Sequence, residues 1–125
     1  MNVKQLAIYY SLFMGFSIIL IWIYFISSGD YTNYLGEDLE FISHLIAEFS
    51  TAILLIASGI LLIKNRSRAI YLLFLSIGML IYTLILALGY FVEIHIYSFA
   101  IMFGTFALMS ALILISLFNN LKEKK

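Results

Sequence analysis

The chain has 125 residues, of which 64% are hydrophobic and 11% are charged, and its formal net charge is zero. A typical soluble domain is about half apolar and about one-quarter charged, and a soluble fold of this size could not bury so much apolar surface. The absence of cysteine excludes disulfides, thiolate metal sites and catalytic thiols. The composition therefore predicts a single membrane-embedded domain that spans residues 1–125.

Four long apolar segments predict four transmembrane helices. Three of the segments contain no charged residue, and the second contains only Glu48. A helix needs about 20 apolar residues to cross the hydrocarbon core, and continuous rather than alternating hydrophobicity argues against barrel strands. We expect helices at about 6–28, 42–63, 69–92 and 96–118, with ends that are uncertain by a few residues.

Short connections between the later helices predict the topology. The segments 64–68 and 93–95 are brief enough that consecutive helices must lie side by side. We therefore expect an all-α membrane protein with an up-down-up-down four-helix bundle. The first helix is longer than the apolar part of a signal peptide and no convincing cleavage site follows it, so we expect it to be retained.

The charges of the chain are segregated, and this predicts its orientation. The first loop, 30–40, is acidic and contains no lysine or arginine. Basic residues mark the cytoplasmic side of a membrane protein, which predicts a multi-pass protein of the cell membrane with both termini in the cytoplasm. Trp22 near the outer edge fits an aromatic belt. The seven basic residues, all on the other side, are Lys4, Lys64, Arg66, Arg68, Lys122, Lys124 and Lys125.

The most specific chemical feature is the pair His44 and Glu48 near the start of the second predicted helix. A spacing of four residues places both side chains on one helical face. At a rise of about 1.5 Å per residue, Glu48 lies roughly 10 Å inside the predicted outer boundary. An intramembrane carboxylate is costly and indicates a functional site. The alternative is a protonated Glu48 that hydrogen-bonds a tyrosine or serine and serves packing alone.

A second histidine–glutamate pair, Glu93 and His95, lies in the turn between the third and fourth predicted helices. This turn falls on the same side of the membrane as His44. We therefore expect the two pairs to converge at the outer mouth of the bundle as a ligand- or ion-binding site, with Asp30 as a further candidate. The alternative is that Glu93 and His95 form only a solvated turn.

The residue types at this mouth make cofactor binding a hypothesis. Imidazole and carboxylate ligands suit Zn, Fe, Ni or Mn, which makes His44, Glu48 and His95 candidate metal ligands. Di-iron bundles use more carboxylates with a Glu-x-x-His spacing, whereas this chain has His-x-x-x-Glu and Glu-x-His. A haem between His44 and His95 is a further alternative. The sequence therefore leaves the cofactor unknown.

Small and hydroxylated residues recur at helical spacing and predict close packing between helices. We expect one such row on each helix to face its neighbours. The rows are Tyr10, Met14 and Ser17; Thr51 and Ser58, below His44 and Glu48; Gly78, Tyr82, Gly89 and Glu93; and His95, Ser98, Met102, Thr105 and Met109.

These features leave three hypotheses for function. The first is small-cation or proton-coupled transport or binding through His44 and Glu48, in a homo-oligomer because four short helices rarely enclose a full pathway. The second is an accessory or structural subunit of a larger membrane complex, and the third is a membrane redox protein that binds a metal or haem. No nucleotide-binding loop, nucleophile motif or nucleic-acid module occurs, so we expect lipid and membrane-protein partners and no nucleic acid. The sequence favours a non-enzyme, and the third hypothesis keeps a redox enzyme open.

Overall fold

A computed structural model describes residues 1–29 and 38–123, without the side chains of residues 38, 40 and 41. The described residues form four α-helices and no strand, which confirms the predicted all-helical class and the predicted number of helices. Most of the acidic first loop, including Asp30, lies outside the described residues, as do the last two lysines. The helices are α1, Val3–Ser28; α2, Asp38–Ile63; α3, Ala69–Glu93; and α4, Tyr97–Glu123.

The helices extend beyond the apolar segments that predicted them. The start of α1 at Val3 is set by a capping box, in which the Asn2 side chain accepts a hydrogen bond from the Gln5 backbone N–H at 2.9 Å. The helix α2 begins at Asp38, although its apolar part, Ile42–Ile63, has the predicted bounds. Hydropathy marks where a helix enters the hydrocarbon, and polar turns continue the helix on either side.

All four helices are long and apolar enough to cross a membrane. Their outer faces carry large apolar side chains: Phe13 is 59% exposed, Leu20 65% and Ile101 70%. A water-soluble monomer rarely exposes continuous apolar surface of this kind. The described part of the chain therefore has the surface of a multi-pass membrane protein.

Each helix packs against the next helix in the chain, and α4 returns to α1 through a smaller contact. The five largest fully buried side chains come from α2, α3 and α4, and the fully buried Ser11 comes from α1. The bundle therefore consists of two closely packed pairs, α1–α2 and α3–α4, with a strong contact between α2 and α3 and a narrower one between α1 and α4. The five largest fully buried side chains are Leu55, Leu73, Ile77, Leu80 and Leu117.

Two helices end in the same hydrogen-bonded motif. At the end of α2, Asn65 has a φ of 58°, and the Arg66 N–H donates to the Leu61 carbonyl at 3.0 Å. At the end of α3, His95 has a φ of 61°, and the Ile96 N–H donates to the Phe91 carbonyl at 2.9 Å. This left-handed residue with a six-to-one hydrogen bond is the Schellman motif that stops helices.

The predicted rows of small and polar residues are half correct. On α1 and α2, Tyr10, Met14, Thr51 and Ser58 are buried as expected. The predicted rows of the other two helices are wrong, because Gly78, Tyr82, Gly89 and Glu93 on α3 and Ser98, Thr105 and Met109 on α4 are exposed. The buried hydroxyls of these helices are Ser76, Thr83 and Ser110. A helix that is apolar on all sides has no polar face to indicate which side packs.

Candidate ion-binding site

His44 and Glu48 lie on one face of α2, one turn apart. The Nε2 atom of His44 is 3.9 Å from Oε1 of Glu48, which is within ion-pair range but beyond hydrogen-bond length. The Glu48 side chain is 12% exposed and that of His44 is 29% exposed. The structure therefore brings these two residues together as their spacing predicts, with the carboxylate deeper and the imidazole nearer the surface.

Trp22 of α1 completes this cluster. Its ring packs edge-on against the His44 imidazole, with centroids 5.8 Å apart and an interplanar angle of 65°. Its side chain also hydrogen-bonds that of Glu48, and the donor is the indole N–H because tryptophan has no other polar group. Trp22 is itself only 7% exposed. We call Trp22, His44 and Glu48 the acidic-end cluster.

Two glycines allow α1 to approach α2 closely enough for this contact. A Cβ atom on Gly15 would lie 2.7 Å from Ile56 Cγ1 and 3.0 Å from the Ala52 carbonyl oxygen. A Cβ atom on Gly59 would lie 2.8 Å from Leu12 Cγ. Because these distances are shorter than normal packing contacts, any side chain at either position would force its neighbours to shift. The glycines therefore allow the close approach that brings Trp22 against α2.

The cluster has the chemical groups that proton and cation sites use inside membranes. Carboxylates and imidazoles form proton relays in pumps and transporters, and they face a cavity or each other. No lysine or arginine occurs between residues 5 and 63 or between residues 69 and 121. Glu48 is therefore not neutralised by a permanent cation from any of the apolar segments, and a proton or a small cation can take that role.

Glu93 and His95 are in a different environment from the acidic-end cluster. Both residues are exposed. The His95 Nδ1 atom hydrogen-bonds the Tyr97 hydroxyl at 3.0 Å, and the backbone of His95 forms the left-handed position of the helix stop that ends α3. Geometry therefore gives His95 a local structural role.

The predicted convergence of the two pairs is not seen in the described part of the chain. Within residues 1–29 and 38–123, no group of three or more histidine, aspartate and glutamate side chains is placed to hold a metal ion. The structure thus unites His44 with Glu48 but does not join His95 to them as a three-ligand set. Asp30 lies outside the described residues, and metal or haem binding stays a prediction.

Trp22 is the functional candidate that the sequence interpretation missed, since its position suggested only an aromatic belt. The available signal was its depth. A buried tryptophan needs a hydrogen-bond acceptor, and Glu48 is the one carboxylate within the apolar segments. The bounds of α1 and α2 place Trp22 and Glu48 in the parts of the two helices nearest the first loop. A search for the hydrogen-bond acceptor of Trp22 would therefore have suggested Glu48.

Comparisons with known proteins place the chain in a family. No curated protein and no solved structure matches it. The profile of the family described as "Domain of unknown function (DUF8058)" matches residues 1–125. The chain therefore belongs to the DUF8058 family over its whole length.

Proposed function

We propose that this member of the DUF8058 family binds a proton or a small cation at the acidic-end cluster, as the binding step of proton-coupled or cation transport. Glu48 is the binding group in this proposal. Trp22 orients the carboxylate through its N–H, and His44 links the carboxylate to the surface. The proposal concerns the site of binding and the class of ion, and it leaves the identity of the ion to experiment.

One observation carries this proposal. The carboxylate of Glu48 is 12% exposed within a segment apolar enough to span a membrane. His44, one turn earlier on α2, and Trp22 on α1 lie against it. Burying a carboxylate costs several kcal/mol unless it is paired and hydrogen-bonded. A position kept at that cost, with a donor and an imidazole arranged around it, is better explained by ion binding than by packing.

The proposal includes an orientation. The contacts of Gly15 with Ala52, of Gly59 with Leu12 and of Trp22 with His44 support an antiparallel first pair of helices, and so an up-down-up-down bundle. The segregated basic residues support cytoplasmic termini in the cell membrane. The acidic-end cluster then opens to the outside of the cell.

Ion flux into liposomes that contain the purified protein tests this function directly. We expect the wild type to dissipate an imposed proton or cation gradient. The rate of dissipation by the Glu48→Gln variant should be lower by about 100-fold or more, because the substitution removes a group that is essential to the step. The glutamine keeps the volume and a hydrogen-bond acceptor for Trp22 but cannot bind a proton or a cation in the same way.

Glu93→Gln is the matched control, because it makes the same chemical change at an exposed position of the same end of the bundle. We expect its flux to equal that of the wild type. Size-exclusion profiles and helical circular dichroism of both variants must match the wild type. Normal flux in a folded Glu48→Gln protein, or no flux in the wild type under any imposed gradient, contradicts the proposed transport.

A second candidate function is that of an accessory subunit in a larger membrane complex. The low burial of α4 favours this function, because an uncovered helix can pack against another protein. Only 17% of the most apolar 18-residue stretch of α4 is buried, compared with 44% for α1. Such a subunit would co-purify with another membrane protein after mild solubilisation of native membranes, and cross-links introduced on the outer face of α4 would capture it. A chain that purifies alone and carries out flux argues against this candidate.

A further inference from the structure

A polar cavity lies at the end of the bundle opposite to the acidic-end cluster. It has a volume of about 300 Å³ and lies between the first turns of α1 and the end of α2. Binding pockets for small molecules start at about this volume, so the cavity has room for one small polar group. We call it the basic-end cavity. Its polar lining residues are Asn2, Lys4, Gln5, Tyr9 and Asn65.

Lys4 is distinguished from the other basic residues by its burial. Its side chain is half-buried in the cavity, whereas Lys64, Arg66, Arg68 and Lys122 are all exposed. Lys4 forms no ion pair with any carboxylate among the described residues. A half-buried ammonium group without an anionic partner favours the binding of an external anion.

The capping box at the start of α1 fixes which amide atoms face a ligand. The Asn2 Oδ1 atom accepts from the Gln5 N–H at 2.9 Å, and the Gln5 Oε1 atom accepts from the Asn2 N–H at 3.1 Å. Because both amide oxygens accept these bonds, the two NH₂ groups keep their donors for a ligand. An ammonium with two amide donors suits a phosphate, which accepts several hydrogen bonds.

The surroundings of the cavity have one sign of charge. Asn65 lies between Lys64 and Arg66, and none of the described residues that line the cavity is acidic. The apolar part of the lining comes from the buried Ile8 and Leu62 and from Ile63, which is 56% exposed. A ligand that is anionic at one end and apolar at the other fits these two sides.

We propose that the basic-end cavity binds the phosphate group of an anionic phospholipid. Lys4 supplies the charge, the amides of Asn2 and Gln5 supply donors, and the apolar side receives the start of the acyl chains. This site is independent of the acidic-end cluster, and it is distinct from the diffuse attraction that any basic loop exerts on an anionic membrane surface. Diffuse attraction depends on the number of basic residues near the membrane, whereas lipid binding in the cavity depends on the charge of Lys4 in particular.

Native mass spectrometry of the detergent-solubilised protein, titrated with phosphatidylglycerol or phosphatidylcholine, tests the site. We expect one phosphatidylglycerol to be retained in preference to phosphatidylcholine. Lys4→Gln and Asn65→Asp should each weaken this binding by about tenfold or more, because one removes the ammonium group and the other adds a negative charge next to it. Asn65→Asp also serves if Lys4→Gln folds poorly, since aspartate tolerates the left-handed backbone of this position.

Lys122→Gln is the matched control, because it removes the same charge from the same end of the bundle outside the cavity. We expect its lipid binding to equal that of the wild type. Equal losses in Lys4→Gln and Lys122→Gln, or no preference for the anionic lipid, would overturn the proposal. A second titration uses inorganic phosphate against chloride at equal ionic strength. If phosphate at millimolar concentration displaces the lipid, the ligand of the cavity is a soluble phosphate and the lipid proposal is overturned. If phosphate does not displace the lipid, the lipid proposal is supported.

Discussion

The two helix pairs of this protein each carry a histidine and a glutamate, but in different environments. In the α1–α2 pair, Glu48 is 12% exposed and is contacted by Trp22 and His44. In the α3–α4 pair, Glu93 and His95 are exposed, and the His95 imidazole contacts the neighbouring Tyr97.

The difference follows from where each pair lies relative to its helix. His44 and Glu48 lie inside a helix, so the fixed spacing of α2 aligns them and the close approach of α1 covers them. Glu93 is the last residue of α3 and His95 lies just beyond it, and both side chains are exposed. Residue type alone therefore does not identify a site, since the same two residue types form a covered cluster in one pair and a turn in the other.

The largest expected effect on stability concerns the close approach of the first pair. Gly15→Ala should lower the free energy of unfolding by about 1–3 kcal/mol, because the added Cβ atom meets a backbone oxygen at 3.0 Å as well as a side chain. Gly78→Ala on α3 is the control, since nothing lies within 4 Å of the added atom there. It should be neutral or stabilising by up to about 1 kcal/mol.

Reversible unfolding in mixed micelles measures both glycine variants. If Gly15→Ala is as stable as Gly78→Ala, then α1 and α2 are not held as closely as described, and the position of Trp22 against Glu48 loses its physical basis. The same preparations can be used for flux, where a shift of α1 in Gly15→Ala should also reduce the rate.

A smaller effect concerns the contact between the two pairs, at the narrow side where α1 meets α4. The Tyr10 hydroxyl hydrogen-bonds the Ser110 hydroxyl at 2.7 Å and donates to the Phe106 carbonyl at 3.1 Å. Tyr10→Phe should cost about 0.6 kcal/mol and at most about 1.7 kcal/mol, the range for hydrogen bonds between membrane helices. Thermal unfolding in detergent measures it.

The adjacent residue gives the control for this variant. Tyr9 is 60% exposed whereas Tyr10 is 7% exposed, so Tyr9→Phe removes the same hydroxyl from the outer face of the same helix. We expect no measurable change in stability for Tyr9→Phe. Equal effects of the two substitutions would mean that the α1–α4 contact does not depend on this hydrogen bond.

The smallest expected effect separates the two histidines. His95→Gly should change the free energy of unfolding by less than about 1 kcal/mol, in the stabilising direction, because glycine adopts the left-handed backbone without steric cost. His44→Gly should be destabilising by about 0.3 kcal/mol from helix propensity alone. A large loss of stability or of flux in His95→Gly would show that His95 has a role beyond the helix stop.

The helices could be predicted from the sequence because hydropathy measures directly what a membrane requires. The alignment of His44 with Glu48 could also be predicted, since it depends only on the geometry of one helix. Contacts between helices could not. The helices α3 and α4 are apolar on all sides, so nothing in their pattern distinguished the exposed Gly78 and Tyr82 from the buried Ser76 and Thr83. Trp22 was missed for the same reason, because its role depends on which face of α1 meets α2.

The fluorescence of Trp22 tests the central claim most directly, because Trp22 is the only tryptophan of the chain and contacts both other residues of the cluster. Its emission should change in a saturable way when protons or the bound cation are added to the solubilised wild type. The response should persist in Glu93→Gln and weaken by at least about tenfold in Glu48→Gln, as expected when the binding carboxylate is removed. The same response in Glu48→Gln as in the wild type, or none in any of the three proteins, would contradict ion binding at this cluster.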